Sequence, residues 1–265
     1  MKIKAYASVF RMRWKMEIQY RGAMIGGVIC QVFFGLILVS LYHALYDGKP
    51  QSIPMESVST YVWLQQAFFR MLLSSDSELA GKIRTGDIAY DLSRPLNLYG
   101  YYYVRILALK QMGSIMRAVP MLLFAACLPK GWGVMLPVSG GALCCAITAL
   151  LVGLCCVCAL ENITMGITMR TLDPKGIQSI LNLLMMTLSG NLLPLTLFPD
   201  SWQKVITMLP YAQLLDAPIR LYTGVYAITS APRVLLVQVM WAFLLGGMGV
   251  LLWRRNQHRL IIQGG

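Results

Sequence analysis

Residues 22–46 read GAMIGGVICQVFFGLILVSLYHALY, a stretch that contains no Asp, Glu, Lys or Arg. A helix that crosses the hydrocarbon core of a bilayer needs roughly 20 predominantly apolar residues, and this stretch is long enough. The rest of the chain has the same character, since 57% of its 265 residues are hydrophobic and only 13% are charged. A soluble domain carries roughly twice that charged fraction. The sequence therefore predicts an integral membrane protein.

Five more apolar stretches follow the first one. They are predicted to be spans over residues 58–73, 113–128, 137–160, 177–195 and 234–253. The first of these five carries Thr60, Gln65 and Gln66, and polar groups at membrane depth usually face protein or water rather than lipid. We therefore expect that span to turn a polar side inward. The predicted fold class is an all-α polytopic membrane protein with six transmembrane helices.

The remaining segments are predicted to lie at the two faces of the membrane. Residues 1–21 mix basic residues with Tyr6, Phe10 and Trp14 at helical spacing, a pattern typical of an amphipathic helix on the inner leaflet. A simple basic flank of the first span fits the same residues. Residues 198–233 are apolar but interrupted by four prolines, which favours short interfacial or re-entrant helices that pack on protein at the outer face.

The distribution of basic residues predicts the orientation. If the N-terminus is inside, 18 of the 23 Lys and Arg residues fall in inner segments and five fall in outer ones. Cytoplasmic loops of membrane proteins are enriched in Lys and Arg, so both termini are predicted to be cytoplasmic. The same bias accounts for the net charge of +12, which in a soluble protein would suggest nucleic acid. No nucleic-acid partner is predicted.

Residues 74–111 form the longest charged stretch and are predicted to be a cytoplasmic segment. Ser75 followed by Glu78 suggests the capping box of a short helix, and Gly86 is placed to end that helix. Apolar residues recur within the segment every four or five positions: Leu79, Ile83, Ile88 and Leu92. A solvated loop accounts for the charges, whereas a docking surface for a cytoplasmic partner would use the apolar side as well. Both interpretations stay open.

Two motifs resemble those of the ABC-2-type permease family, the membrane subunits of ATP-binding-cassette transporters. The first, IRTGDIAYDLSRPL at residues 83–96, is similar to the family's inner segment between the second and third spans. The second is SGNLLPL at residues 189–195, followed by Phe198-Pro199 and Leu209-Pro210. It resembles the family's outer segment between the fifth and sixth spans. Six spans with both termini inside also agree with the family.

The resemblance implies that this chain is the permease of an exporter in a bacterial plasma membrane. It implies a translocation path shared with a second permease, identical or related, within membrane lipid, and two cytoplasmic ATPase subunits. It assigns the coupling to the ATPase to eight residues of the inner segment: Glu78, Gly81, Arg84, Gly86, Asp87, Asp91, Arg94 and Pro95. The residues that carry the outer motif are Ser189, Gly190, Pro194, Pro199 and Pro210.

The chain itself carries no recognisable catalytic motif, so it is not expected to be an enzyme. It has no G-x-x-x-x-G-K-[ST] phosphate loop. No bound cofactor is predicted, and ATP and Mg²⁺ would be used by the partner ATPase. All seven cysteines fall in apolar stretches, where a free thiol behaves as a small apolar residue. Neither a metal site nor a disulfide framework is therefore predicted.

Other functions stay open on the sequence alone. An ion-driven secondary carrier tends to have inverted repeats and ionisable residues at the midplane, and neither is evident in the clear spans. A non-transporting membrane scaffold or immunity protein fits the same composition. Arg117 and Glu161 lie near inner span ends, where a snorkelling or paired structural charge and a substrate or gating contact both fit. The apolar interior suits an amphipathic or lipid-like cargo, but a drug, peptide or glycan fits almost as well.

Overall fold

A computed structural model of the chain describes residues 2–46, 53–73, 75–191, 194–195 and 198–257. Every regular element in these ranges is a helix, which confirms the all-α prediction for this part of the chain. Leu192 and Leu193, in the predicted fifth span, lie outside the described residues. So do residues 258–265, which belong to the predicted cytoplasmic C-terminus.

The chain forms eleven α-helices within the described ranges. They are α1 Lys2–Gln19, α2 Arg21–Tyr46, α3 Met55–Leu73, α4 Ser77–Thr85, α5 Ile88–Leu92, α6 Leu98–Ala126, α7 Gly140–Thr171, α8 Lys175–Leu188, α9 Asp200–Ile206, α10 Asp216–Thr223 and α11 Ala231–Asn256. A short 3-10 turn, Ile228–Ser230, leads into α11. Following the predicted orientation, we call the end of the bundle that carries α1, α4 and α5 the inner end. The end that carries α9 and α10 is the outer end.

Four of the described helices are long and apolar enough to cross a membrane: α2, α6, α7, and α11 together with the turn before it. α3 has 19 residues, but Gln65, Gln66 and Arg70 lower its hydropathy. α8 has 14 residues, which rise about 21 Å, less than the roughly 30 Å of hydrocarbon. The multi-pass prediction therefore holds, while the status of α3 and α8 as spans remains a prediction.

The helix of the predicted third span begins well before residue 113. α6 runs without interruption over Leu98–Ala126, so its first turns lie within the segment that the sequence placed in the cytoplasm. Arg105 and Lys110 obscured this part of the helix, because charged residues argue against a span. In the structure both side chains are buried in the protein. α7 likewise continues beyond residue 160, to Thr171.

The core of the bundle is built around α3, α6 and α7. α3 packs along α6 and α2, α7 packs along α11 and α10, and α6 joins the two groups. The polar side predicted for α3 does turn inward, since Thr60, Gln65 and Gln66 are all buried. At the outer end the loop between α6 and α7 covers α3, where Trp63 Nε1 donates a hydrogen bond to the Trp132 carbonyl (2.7 Å).

The predicted N-terminal amphipathic segment is a helix that packs on the inner half of α6. Tyr6, Phe10 and Trp14 are each half-buried, and the rings of Phe10 and Trp14 stack with their centroids 6.4 Å apart. The aromatic side of α1 thus rests partly on protein. Its position on the inner leaflet stays a prediction.

Candidate functional site

The inner segment folds as two short helices with a sharp turn between them. Asp76 caps α4, because its carboxylate accepts a hydrogen bond from the Leu79 N–H (3.3 Å). The cap therefore lies one residue after Ser75, the predicted N-cap. Gly86 ends α4 with a φ of 82°, a left-handed conformation that glycine adopts without a Cβ clash. The sequence located this turn correctly, and α5 follows it.

The apolar side of this segment is used inside the protein. Leu79, Ile83 and Ile88 are each at most 2% exposed and belong to the main hydrophobic core. Leu92 alone of the four predicted positions stays exposed, at 44%. Burial of three of the four positions holds α4 and α5 on the bundle, so of this apolar pattern only Leu92 is exposed to a partner. Each buried side chain of this size contributes about 1.5–3 kcal/mol.

The structure separates the eight predicted coupling residues by exposure. The exposed residues are Glu78, Arg84, Asp87, Arg94 and Pro95. Gly81 and Gly86 are half-buried and Asp91 is buried. Tyr90, which the sequence analysis did not single out, lies on the same segment and is 78% exposed. We call the exposed group formed by Arg84, Asp87, Tyr90 and Arg94 the inner patch.

Asp91 holds α4, α5 and α6 together beneath the inner patch. Its carboxylate accepts hydrogen bonds from the Tyr102 hydroxyl, from Lys82 Nζ (3.1 Å) and from Arg94 Nε (2.8 Å). Burial by itself would raise the pKa of Asp91, but the bonds from Tyr102 and Lys82 outweigh it and hold the pKa below its ordinary value. Asp91 therefore positions the patch rather than forming part of its surface.

Glu78 connects the same segment to α6 and α1. Its carboxylate accepts a hydrogen bond from Arg105 and lies 3.7 Å from Arg13 of α1. The hydrogen bond from Arg105 lowers the pKa of Glu78 below its ordinary value. α1 is tied to α3 as well, because Glu17 pairs with Arg70 at 3.0 Å. The N-terminal helix is thus part of the inner-end charge network.

Two buried ion pairs hold the start of α4 in the bundle. Arg105 Nε of α6 donates to the Asp76 carboxylate (2.6 Å), and Lys110 Nζ lies 2.8 Å from the Glu161 carboxylate of α7. The Asp76 N–H also donates to Glu161 (2.8 Å), so Asp76 links the two pairs. All four residues are at most 6% exposed. Of the two interpretations left open for Glu161, the paired structural charge is the one that the structure supports.

Arg117 has a different setting from Glu161. Its guanidinium packs against Gly27 of α2, and its Nη2 donates to the Ala23 carbonyl (3.4 Å). Arg117 thus connects α6 to α2, which fits a structural charge. Within the described ranges, no cluster of His, Cys, Asp and Glu side chains is arranged to hold a metal ion.

The outer motif packs on the buried polar side of α3. Gln65 Nε2 donates to the Ser189 carbonyl (3.0 Å). Gly190 has a φ of 76°, and a Cβ at this position would collide with the Tyr61 hydroxyl. That hydroxyl in turn donates to the Asp216 carboxylate of α10 (2.6 Å). The glycine is therefore required both by its backbone conformation and by the close approach of Tyr61.

Two prolines of the outer motif, Pro199 and Pro210, take part in turns. The Pro199 carbonyl accepts from the Gln203 N–H (3.0 Å) at the start of α9, and the Pro210 carbonyl accepts from the Gln213 N–H (3.1 Å). Pro194 is buried. The predicted short helices of this segment are present as α9 and α10.

Comparison with protein families adds an independent observation. The model of one family, described as ABC-2 family transporter protein, matches residues 54–264. The match runs from the start of α3 beyond the end of α11, so it covers both the inner segment and the outer motif. A search of curated proteins finds no match.

Proposed function

Because this chain belongs to the ABC-2 family of transporter membrane proteins, we propose that it is the permease subunit of an ATP-driven exporter. Two separate ATPase subunits bind at the inner end and hydrolyse ATP with Mg²⁺, since this chain has no phosphate loop of its own. A second permease, identical or related, completes the translocation path in the cell membrane. The inner patch receives the ATPase, and both termini face the cytoplasm.

The observation that carries the proposal is the anchoring of α4 behind the inner patch. The patch lies on α4, the following turn, α5 and the residues just after α5. The start of α4 is bound to α6 through Arg105 and to α7 through Glu161. Breaking a buried pair by removing one partner costs about 3–5 kcal/mol. A force applied at the patch would therefore move α6 and α7 before it detached α4 from them.

The composition of the inner patch suits a protein partner. Arg and Tyr are enriched among the residues that dominate binding energy at interfaces, and the patch carries Arg84, Tyr90 and Arg94. Asp87 adds a negative charge beside them. Charges of both signs on one surface determine the register in which a partner binds more than they determine how tightly it binds.

Co-purification with a co-expressed ABC ATPase tests the proposal. We expect the double variant Asp87→Arg with Arg94→Glu to retain less than about one tenth of the wild-type ATPase, since each reversal opposes a complementary charge. Arg170→Glu, an exposed reversal at the inner end of α7, is the matched control and should retain the wild-type amount. A melting temperature measured for each variant shows whether the fold survives. Undiminished capture by a folded double variant would refute the docking surface.

Export direction needs its own measurement. In inverted membrane vesicles that contain the chain and its ATPase, an exporter should accumulate cargo inside the vesicle only when ATP is added. Transport that continues without ATP and stops when the proton gradient is collapsed would instead support the ion-driven carrier. The family match favours the ATP-driven class.

A further inference from the structure

A cavity of about 220 Å³ lies at the outer end, between the chain that follows α9 and the start of α11. Polar side chains supply one wall: Thr207, Gln213, Tyr226, Ser230 and Arg233. Met208 and Val237 belong to an apolar wall. None of these residues takes part in the inner-end charge network, so the cavity is separate from the surface assigned to the ATPase.

Gln213 lines this cavity with a side chain that the protein itself holds in place. The side chain is 5% exposed, and its Nε2 donates to the Thr207 carbonyl, which fixes the orientation of the amide. Its Oε1 then has no hydrogen-bond partner within the described part of the chain. Buried polar atoms are rarely left without a partner. That oxygen has almost no accessible surface, so it lies behind the cavity wall and a ligand in the cavity would not contact it.

The charge around the cavity is positive. Arg233 is exposed on the first turn of α11 and forms no ion pair with a carboxylate among the described residues. The ring of Tyr226 lies against a second guanidinium, with Arg220 Cζ 5.2 Å from the ring centroid. Asp216, the nearest buried carboxylate in this segment, is already paired with Arg220 at 2.7 Å. The uncompensated charge is therefore that of Arg233, and it favours an anion.

The surroundings place the cavity at the level of lipid headgroups. Trp202 and Val205 on α9, and Met208 just after it, each expose more than 60% of their surface. Exposed tryptophan and aliphatic side chains on a short helix are typical of the membrane interface. On α11 the apolar side chains of Leu236 and Phe243 are exposed beyond the cavity. A ligand with a charged head and acyl chains could follow this surface from the interface into the hydrocarbon.

We propose that this cavity binds an anionic phospholipid of the outer leaflet, such as phosphatidylglycerol. The phosphodiester pairs with Arg233, and the acyl chains lie along Met208 and Val237. The site goes beyond the proposed function, because it requires only that the outer end faces the outer leaflet. It does not depend on which ATPase binds.

Photo-crosslinking of the full-length chain in detergent tests the site. Diazirine-bearing phosphatidylglycerol should label the peptides that contain Met208 and Val237 about tenfold more than the phosphatidylcholine analogue, because the choline cation of the analogue offsets the phosphate charge beside Arg233. Arg233→Gln, an exposed substitution that leaves the core intact, should remove the same factor. Arg255→Gln, exposed at the opposite end of the same helix, is the control and should leave the labelling unchanged.

Three results would overturn the assignment. The first is equal labelling of these peptides by the two lipids, and the second is labelling that persists in Arg233→Gln. The third is complete competition by free glycerol 3-phosphate, which would identify a site for a soluble anion instead of a lipid. None of these results bears on ATPase capture at the inner patch, so a failure here is distinguishable from a failure of the proposed function.

Discussion

Lys110 Nζ lies 2.8 Å from the Glu161 carboxylate, and neither side chain is more than 6% exposed. Removing one member of such a pair leaves an unpaired buried charge. We expect Glu161→Gln to lower the free energy of unfolding by about 3–5 kcal/mol, measured by denaturant unfolding in detergent. The glutamine still offers an oxygen to the Asp76 N–H. The decrease in the free energy of unfolding therefore measures the loss of the ion pair and not the loss of that hydrogen bond.

Two companion variants make this measurement decisive. Glu56→Gln removes an exposed carboxylate from α3 and should change stability by less than about 0.5 kcal/mol. Lys110→Met combined with Glu161→Leu removes both charges and should recover much of the loss, since apolar replacement of a buried pair is often neutral. If the double variant is as unstable as the sum of Lys110→Met and Glu161→Leu measured singly, the side chains act separately and the pair is not what joins α6 to α7.

The close approach of Tyr61 to Gly190 predicts that substitutions at these two positions have non-additive effects on the free energy of unfolding. Tyr61→Phe removes the hydroxyl that donates to Asp216 and should cost about 1–3 kcal/mol. In the wild type Gly190→Ala adds a collision with that hydroxyl to the strain of a left-handed alanine, about 1–2 kcal/mol. In the Tyr61→Phe background the collision with the hydroxyl is absent, so the cost of Gly190→Ala should fall towards that of the strain. Denaturant unfolding of all four proteins measures the difference, and costs that add within about 0.5 kcal/mol would contradict it.

The features that sequence could predict are those set by neighbouring residues. Gly86 and Gly190 both adopt positive φ, and each stands in a motif that the sequence analysis singled out. The four long apolar helices follow from composition in the same way, because length and hydropathy are local properties. The inward polar side of α3 was also predictable, since polar side chains at membrane depth usually face protein or water rather than lipid.

The features that sequence could not predict depend on distant contacts. Asp76 and Glu161 are 85 positions apart, and no local pattern pairs them. For the same reason Arg105 and Lys110 appeared to extend a cytoplasmic loop. In the folded chain Arg105 pairs with Asp76 and Lys110 pairs with Glu161 in the interior of the helical bundle. The apolar positions of α4 and α5 were evident, but whether they faced a partner or this chain's own core depended on α7.

The lowered pKa of Asp91 predicts that the stability of the folded chain decreases in acid. Its pKa in the folded chain is held below the ordinary value, so its contribution to stability is fully present above the unfolded-state pKa of about 3.9. The contribution is lost as the pH falls through the lower folded-state value. Glu78 has the same sign of shift. Below about pH 4 we therefore expect the wild type to lose melting temperature more steeply than Asp91→Asn.

A second variant tests the cause of that shift. Tyr102→Phe removes a hydrogen bond that lowers the pKa of Asp91, so the acid-dependent loss of stability should be smaller than in the wild type and should be complete at a higher pH. Melting curves collected across the acid range in one detergent provide the comparison. Parallel curves for the wild type and Asp91→Asn would show that this carboxyl does not contribute to the pH dependence.

Leu79 and Leu92 distinguish the buried from the exposed side of the inner segment. Leu79 is completely buried and Leu92 is 44% exposed, although both belong to the same apolar pattern. Leu79→Ala should lower the free energy of unfolding by about 2–5 kcal/mol, whereas Leu92→Ala should change it by less than about 0.5 kcal/mol. If Leu92 borders the ATPase contact, Leu92→Ala should weaken ATPase capture without affecting the melting temperature. Equal destabilisation by the two substitutions would mean that α5 is packed differently, with Leu92 covered by the chain itself.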